Sequence, residues 1–248
     1  MDRVGVVELS LSGRGPKRGF IFDDHRMALP CWALAMRGEA PALLLTLDRH
    51  FDLVAPRPWS LTPDLKDGRA MDDFARYQLD TRNYDHVIAA MELGIVSDVI
   101  AVARNHPQEA IKDLVWQDSR GQAHRILRAP RVSKLSEGFG LKGRGGPSQQ
   151  AEEWMVNASS MLLDFDLDCF TSPSDAEPLN IVPWPASLIE DYLLPEGSEL
   201  FWDRVLQKTS ALTFAKEPVH CGGIIESNRL FETACRVIFQ KLLRADLP

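Results

Sequence analysis

Four apolar runs in this chain end in acidic or histidine-bearing clusters, and no other feature restricts the possible folds as strongly. Gly19 to Phe22 is followed by Asp23-Asp24-His25, and Leu43 to Leu47 by Asp48-Arg49-His50-Phe51-Asp52. Met161 to Leu163 runs into Asp164-Phe165-Asp166-Leu167-Asp168, and Gly222 to Ile225 into Glu226. A continuous apolar segment such as Ala42 to Leu47 is a strand buried on both faces, because a strand with one face in water would alternate with polar residues. Parallel sheets covered by helices bury strands in that way, and their binding sites lie just past the carboxyl ends of the strands. The pattern predicts an α/β fold whose ionisable residues meet at one edge of the sheet.

The remaining segments fit that reading. Met27 to Met36 has the composition of a helix ending near Gly38, Tyr84 to Leu93 that of a helix closed by Gly94, and Ile95 to Ala103 that of a further strand. Trp116 to Ala129 flanks the turn tetrad Asp118-Ser119-Arg120-Gly121 and predicts a hairpin. Ser160 to Phe165 is a fourth buried strand, and Leu212 to Ala215 is extended. Ser187 to Leu193, Leu200 to Leu206 and Ser227 to Leu243 are helical. Val54 to Asp67, Ser136 to Gln150 and Ser172 to Pro185 are loops by their proline, glycine and serine content. A chain of 248 residues fits one large α/β domain, residues 1 to 248.

Charge and cysteine usage exclude several functions. The net charge of −7 and the lack of a dense Lys/Arg run argue against a nucleic-acid partner. Cys31, Cys169, Cys221 and Cys235 form no Cys-x-x-Cys pair, so neither a zinc knuckle nor a redox motif is expected. Arg37, Gly38 and Glu39 break the apolar stretch from Met27 to Leu47, so no membrane span is expected there. The first residues carry Asp2 and Glu8 with no apolar core of a signal peptide, and the expectation is a cytoplasmic protein, with homo-oligomers allowed. Gly143-Arg144-Gly145-Gly146 lacks the flanking strand and Lys-Ser/Thr ending of a phosphate loop.

Carboxylate and imidazole are the ligands of manganese, iron and zinc. Residues two apart in an extended segment share a side, so Asp164 and Asp166 can aim at one point, and Asp48, His50 and Asp52 have the same spacing. With His25, the set of carboxylates and imidazoles suffices for two divalent ions. Two such ions activate a shared water for hydrolysis. Glu226 would attract a positively charged substrate group, and Asp168 or a histidine could carry a proton to a leaving amine. Taken alone, Asp168 reads more as a loop or cap carboxylate than as a third ligand.

An upstream Asp-His, an Asp-x-His-x-Asp after one buried strand, an Asp-x-Asp after another, and a late Glu226 followed by Asn228 together resemble the ureohydrolases, the arginase and agmatinase group. The Asp-Asp-His entry, the Leu-Leu-Asp-Phe-Asp-Leu-Asp-Cys-Phe run and His220-Cys221-Gly222-Gly223 look more like the peptide arginases, a divergent branch that converts peptidyl arginine to ornithine. The resemblance spans roughly residues 18 to 228. It implies a three-layer arginase/deacetylase-like fold, a mostly parallel central sheet flanked by helices. It also implies two Mn2+ ions, other divalent transition metals being possible: one on His25, Asp48, Asp52 and Asp164, the other on Asp48, His50, Asp164 and Asp166. Glu226, with Asp168 and Asn228, would receive the guanidinium of an arginine-containing peptide, and urea would leave.

Free-arginine enzymes of this group have Gly-Gly before Asp-His and polar residues after Asp-x-His-x-Asp. This chain has Phe22-Asp23 and Leu53-Val54-Ala55-Pro56 in those places, which suits a substrate whose α-groups lie in peptide bonds. The proton-carrying histidine is open among His86, His106, His124 and His220, with His106 and His220 favoured. Two alternatives remain at this level: a one-zinc deacetylase of the same superfold, and a metal-stabilised module that binds a peptide without turnover.

Overall fold

In a computed structural model the described residues are 5–11, 15–16, 18–59, 62–104, 114–141, 145–174 and 180–242. In chain order they form β1 (Val6–Ser10), β2 (Arg18–Phe22), α1 (Ala28–Ala35), β3 (Ala42–Asp48), α2 (Gly68–Tyr77), α3 (His86–Glu92), β4 (Val96–Ala103), β5 (Leu114–Gln117) and β6 (Ala123–Ala129). Then follow α4 (Ser133–Ser136), α5 (Gly146–Asn157), β7 (Met161–Asp166), β8 (Thr171–Pro173), β9 (Ile181–Pro183), α6 (Ala186–Leu193), α7 (Glu199–Lys208), β10 (Thr209–Ala215) and α8 (Ile224–Cys235).

Eight strands make one sheet in the order β1-β2-β10-β7-β3-β4-β6-β5. The pairs from β2 through β10, β7, β3 and β4 to β6 are parallel, and only the edge strands β1 and β5 run antiparallel. Every residue of β3 and of β7 is buried, as their apolar runs Ala42 to Leu45 and Met161 to Leu163 lead one to expect. Helices cover both faces. α1, α2 and α3 bring Leu29, Trp32, Phe74, Val87 and Met91 onto one side; α5, α6, α7 and α8 bring Trp154, Ile189, Trp202 and Leu230 onto the other. The result is the expected mixed α/β arrangement, a large, mostly parallel sheet between helical layers.

The strand order matters for the site. From β3 the chain steps outward to β4 and β6, then returns with β7 on the other side of β3 and continues to β10. The direction of winding therefore reverses between β3 and β7, and a crevice opens at the carboxyl ends of strands at such a reversal.

Three local expectations change. Residues 68–77, which follow the expected Pro-rich loop, form α2, started by Asp67, whose carboxylate accepts from the backbone N–H groups of Arg69 and Ala70. The expected loop over 136–150 contains the start of α5 at Gly146, where Pro147 in the first turn is compatible with a helix. The closing helix, expected over 227–243, begins at Ile224 and changes at Arg236 to a wider π-type turn through Leu242.

Leu45 lies at the centre of β3 and is fully buried. Leu45→Ala is expected to lower unfolding stability by about 2–5 kcal/mol and Asp67→Ala, which removes only a helix cap, by about 1 kcal/mol. Denaturant midpoints check both; equal losses would contradict the layered core described here.

Candidate metal centre

Asp48 ends β3, Asp166 ends β7, and His25 begins a 3-10 turn, His25–Met27, just after β2. The ends of the adjacent strands β3 and β7, and of β2 beyond β10, thus deliver three ligand-type side chains to one crevice. His25 Nδ1 stands 3.2 Å from Asp166 Oδ2, 3.3 Å from Asp52 Oδ2 and 3.6 Å from Asp48 Oδ2. Beside this group, His50 Nδ1 lies 3.4 Å from Asp168 Oδ2 and 3.7 Å from Asp48 Oδ1. Asp48 belongs to both groups, one oxygen facing each. Within each group the ligand atoms lie within 4.8 Å of one another, the spread of donors about 2.0–2.2 Å from a shared ion.

The tautomer of His25 explains what the cluster is built for. Its Nε2 meets Asp164 Oδ2 at 2.8 Å, and because that carboxylate can only accept, Nε2 carries the proton. Nδ1 is left buried with no hydrogen-bond partner, as is Asp48 Oδ2, among carboxylate oxygens. Lone pairs directed at lone pairs in a desolvated crevice are costly unless a proton or a metal cation lies between them. Burial opposes an imidazolium at His25, but Asp164 and Asp166 outweigh it and hold the ring well above the usual histidine range. Burial, with Asp52, Asp166 and Asp168 close by, pushes Asp48 well up; burial and then Asp168 do the same to Asp166. The residues present therefore fit a divalent cation.

Asp164 differs from its neighbours and corrects the sequence expectation. It pairs in register with Thr46 of β3 and Thr213 of β10. Oδ2 accepts from the Thr46 hydroxyl at 2.8 Å as well as from His25, and Oδ1 accepts from the Thr213 hydroxyl at 2.5 Å. Trp32 Nε1 in turn donates to Thr213 Oγ1 at 3.2 Å. Despite burial, the charge of His25 and these donors hold Asp164 below its usual value. It stands behind His25 and fixes the ring, while Asp166 and Asp168 face the crevice. Such a carboxylate–imidazole–metal chain is the common way of orienting a histidine ligand.

Glu226, expected at the guanidinium position, sits on α8, partly exposed and paired with Arg229 at 2.7 Å; Asn228 is exposed and accepts from Lys216 at 3.4 Å. Among the described residues, neither belongs to the close ligand groups around His25 and His50. The carboxylate there is Glu217, two residues after β10. It is buried, and its Oε1 accepts from His25 N at 2.7 Å and from Asn83 Nδ2 at 2.5 Å. Burial raises its pKa above the usual glutamate value. The sequence signal for it was close to the rule used elsewhere: a mostly apolar extended run, Ala211 to Ala215, followed after Lys216 by an acid.

Of the competing histidines, His106 lies outside the described residues. His220 is about half exposed, with Nε2 3.8 Å from Glu217 Oε2. His124 is at the amino end of the sheet, against Ser97 O at 2.6 Å, where a cavity of about 720 Å³ lined by Pro41, Gly94 and His124 opens. His86 is fully buried, its ring centroid 4.2 Å from that of His25. Its Nδ1 meets the Asn83 carbonyl at 2.9 Å while Nε2 has no partner, and it forms a further close group with His25 and Asp52. Burial and the neighbouring His25 charge push it down to about 4, so it is neutral near pH 7.

Among the described residues, the non-glycine positions with positive φ are Asp52 (49°), Asn83 (63°) and Glu217 (40°). All three belong to this crevice. Left-handed backbone costs of order 1 kcal/mol or more at such residues and concentrates at functional sites.

Fold and cluster together define an α/β protein with a candidate divalent-metal centre at the reversal of its sheet. No protein-family model matches the chain, and no curated protein matches it. Among solved structures it is similar to a proclavaminate amidino hydrolase from Streptomyces clavuligerus, with 17% identity and a TM-score of 0.49. The match covers 91% of this chain but only 64% of the other. No helix among the described residues is long and apolar enough to cross a membrane.

Metal binding is expected to be visible in stability. Manganese at about 100 times its Kd stabilises a native state by about 2.7 kcal/mol, roughly 5–10 °C in melting temperature for a chain of this size. Chelation should reverse the shift. Asp48→Asn, which removes the carboxylate common to both groups, should abolish it; an unaltered shift in that variant would place the ion elsewhere.

Proposed function

We propose that this chain is a metal-dependent hydrolase of guanidino groups, and that its substrate is arginine within a peptide, released as urea and an ornithine residue. The observation that carries this reading is the unpartnered Nδ1 of His25 facing Asp48, Asp52 and Asp166, with the Asp48, His50 and Asp168 group alongside. His25, Asp48, Asp52 and Asp166 would hold one ion; Asp48, His50 and Asp168 would hold the second. When bound, a pair of such ions supplies a hydroxide at neutral pH by lowering the pKa of a shared water.

The chain's own groups would do the rest. Glu217 presents a buried carboxylate whose Oε1 is held by His25 N and Asn83, leaving Oε2 for the fork of a guanidinium. Its position past β10 sets the guanidinium beside the crevice. His220, within 3.8 Å of Glu217 and open to solvent on its other side, is placed to deliver a proton to the leaving amine nitrogen. Thr46, Asp164 and Thr213 keep His25 in one orientation throughout.

Support for a peptide comes from the surroundings. Leu53, Val54, Ala55 and Pro56, which follow the Asp48–Asp52 segment, have no side-chain groups for binding a free α-amino acid. Val54 and Val219, the latter two residues from Glu217, are 48% and 85% exposed. Apolar residues offered to solvent near the acids suit a chain of peptide bonds better than a free zwitterion.

Manganese-loaded protein incubated with an arginine-containing peptide is expected to release urea, the peptide losing mass by one amidine unit. Removing one member of a buried charge pair costs about 2–5 kcal/mol, so Glu217→Gln should lower kcat/KM at least roughly 30-fold. Glu226→Gln should leave it unchanged. Equal effects of the two variants, or no urea from any arginine peptide or small guanidine, would sink the proposal.

A further inference from the structure

Arg49 follows Asp48 at the end of β3, and Arg104 follows Ala103 at the end of β4. Asp48 and Ala103 are partners in the parallel ladder. Two guanidinium side chains therefore leave adjacent strands at the same level, on the edge that carries the acidic crevice. Arg18, Arg120 and Arg125 each pair with a carboxylate, Glu8, Asp118 and Asp98 respectively. Arg49 and Arg104, like Arg128, have no ion pair among the described residues, and the Nε of each is buried without a hydrogen-bond partner.

Arg104 is held rigidly. Its guanidinium lies over the Trp184 ring, 4.0 Å from the centroid, and Nη2 donates to the Thr171 carbonyl. Tyr192 packs against the same tryptophan, with ring centroids 5.5 Å apart, and its hydroxyl oxygen is also buried and unpartnered. Burial holds Arg104 below the usual guanidinium range, and the like charge of Arg49 acts in the same direction. Even so, an arginine stays charged at neutral pH. Two half-buried cations near each other with spare donors, beside an orphaned hydroxyl, make a favourable place for an anion.

We propose that Arg49, Arg104 and Tyr192 form an oxyanion subsite that takes a carboxylate of the substrate. The subsite adjoins the metal cluster through Arg49, which lies between Asp48 and His50 and whose backbone N–H donates to Asp168 Oδ1 at 3.1 Å. It rests on the guanidino-hydrolase reading and narrows it: the substrate carries a negative group as well as a guanidinium. Acid and arginine edges of one crevice then bind the two ends of one molecule. In a peptide that carboxylate is either the C-terminus or a neighbouring acidic side chain.

The test uses manganese-loaded protein and two probes that differ only in this group, Nα-acetylarginine and Nα-acetylargininamide, followed by calorimetry and by urea release. The acid is expected to bind about tenfold or more tighter than the amide, as charge-assisted hydrogen bonds allow. Arg104→Gln should bring the two affinities together while leaving the amide's unchanged, and Tyr192→Phe should narrow the gap without disturbing the fold. Peptides with an internal arginine beside aspartate or asparagine separate the two sources of carboxylate. Equal binding of acid and amide by the unmodified protein would overturn the subsite, as would a parallel loss for both probes in the two variants. Urea release without discrimination removes the subsite alone. Discrimination without urea from any guanidine removes the hydrolase reading and leaves the subsite standing.

Discussion

The contact on which the rest depends is between His25 Nδ1 and the carboxylates of Asp48, Asp52 and Asp166. Two like charges about 4 Å apart in a protein cost roughly 4 kcal/mol at an effective dielectric constant of 20, so a buried group of acids must be held together by something stronger than itself. The scaffold supplies that: β3 and β7 are buried along their whole length between two helical layers. The strand ends cannot separate without exposing that core. The chain Trp32, Thr213, Asp164, His25 then locks the imidazole from behind. A cation is the natural complement of such a rigid, acid-lined crevice.

Much of this was legible in the sequence because burial on both faces leaves a distinctive mark. The strand over 42–47, the helix over 27–36, the hairpin around residues 118–121 and the α/β class all follow from apolar periodicity and turn chemistry. The acids at the strand ends stood out for the same reason. What could not be read was which members of Asp164-Phe165-Asp166-Leu167-Asp168 face the crevice. All three acids share one parity, and a shift by two residues preserves it. Only the ladder, which pairs Asp164 with Thr46 and Thr213, puts Asp164 inside the sheet and leaves Asp166 and Asp168 at its edge.

Glu217 and Glu226 illustrate a different loss. Both follow apolar stretches, but Ala211 to Ala215 is a strand, whereas Gly222 to Ile225 leads into a helix whose first turn carries Glu226 to the surface. A short apolar run does not by itself distinguish the two. The left-handed backbone at Asp52, Asn83 and Glu217 left no sequence mark, since none is a glycine. These strained positions turn side chains from three separate loops inward, and Asn83 and Glu217 are joined directly by a hydrogen bond. Arg49 and Arg104 were equally silent, because the ladder that sets them side by side joins residues far apart in sequence.

The central claim is that remote strand ends create a two-ion centre with Asp48 in common. Anomalous diffraction at the manganese edge, from crystals grown with Mn2+, addresses it most directly. The expected map has two peaks, one ligated by His25, Asp48, Asp52 and Asp166 and the other by Asp48, His50 and Asp168, with Asp164 bound to neither. A single peak, or peaks coordinated by Asp164 or lying away from these side chains, would contradict it.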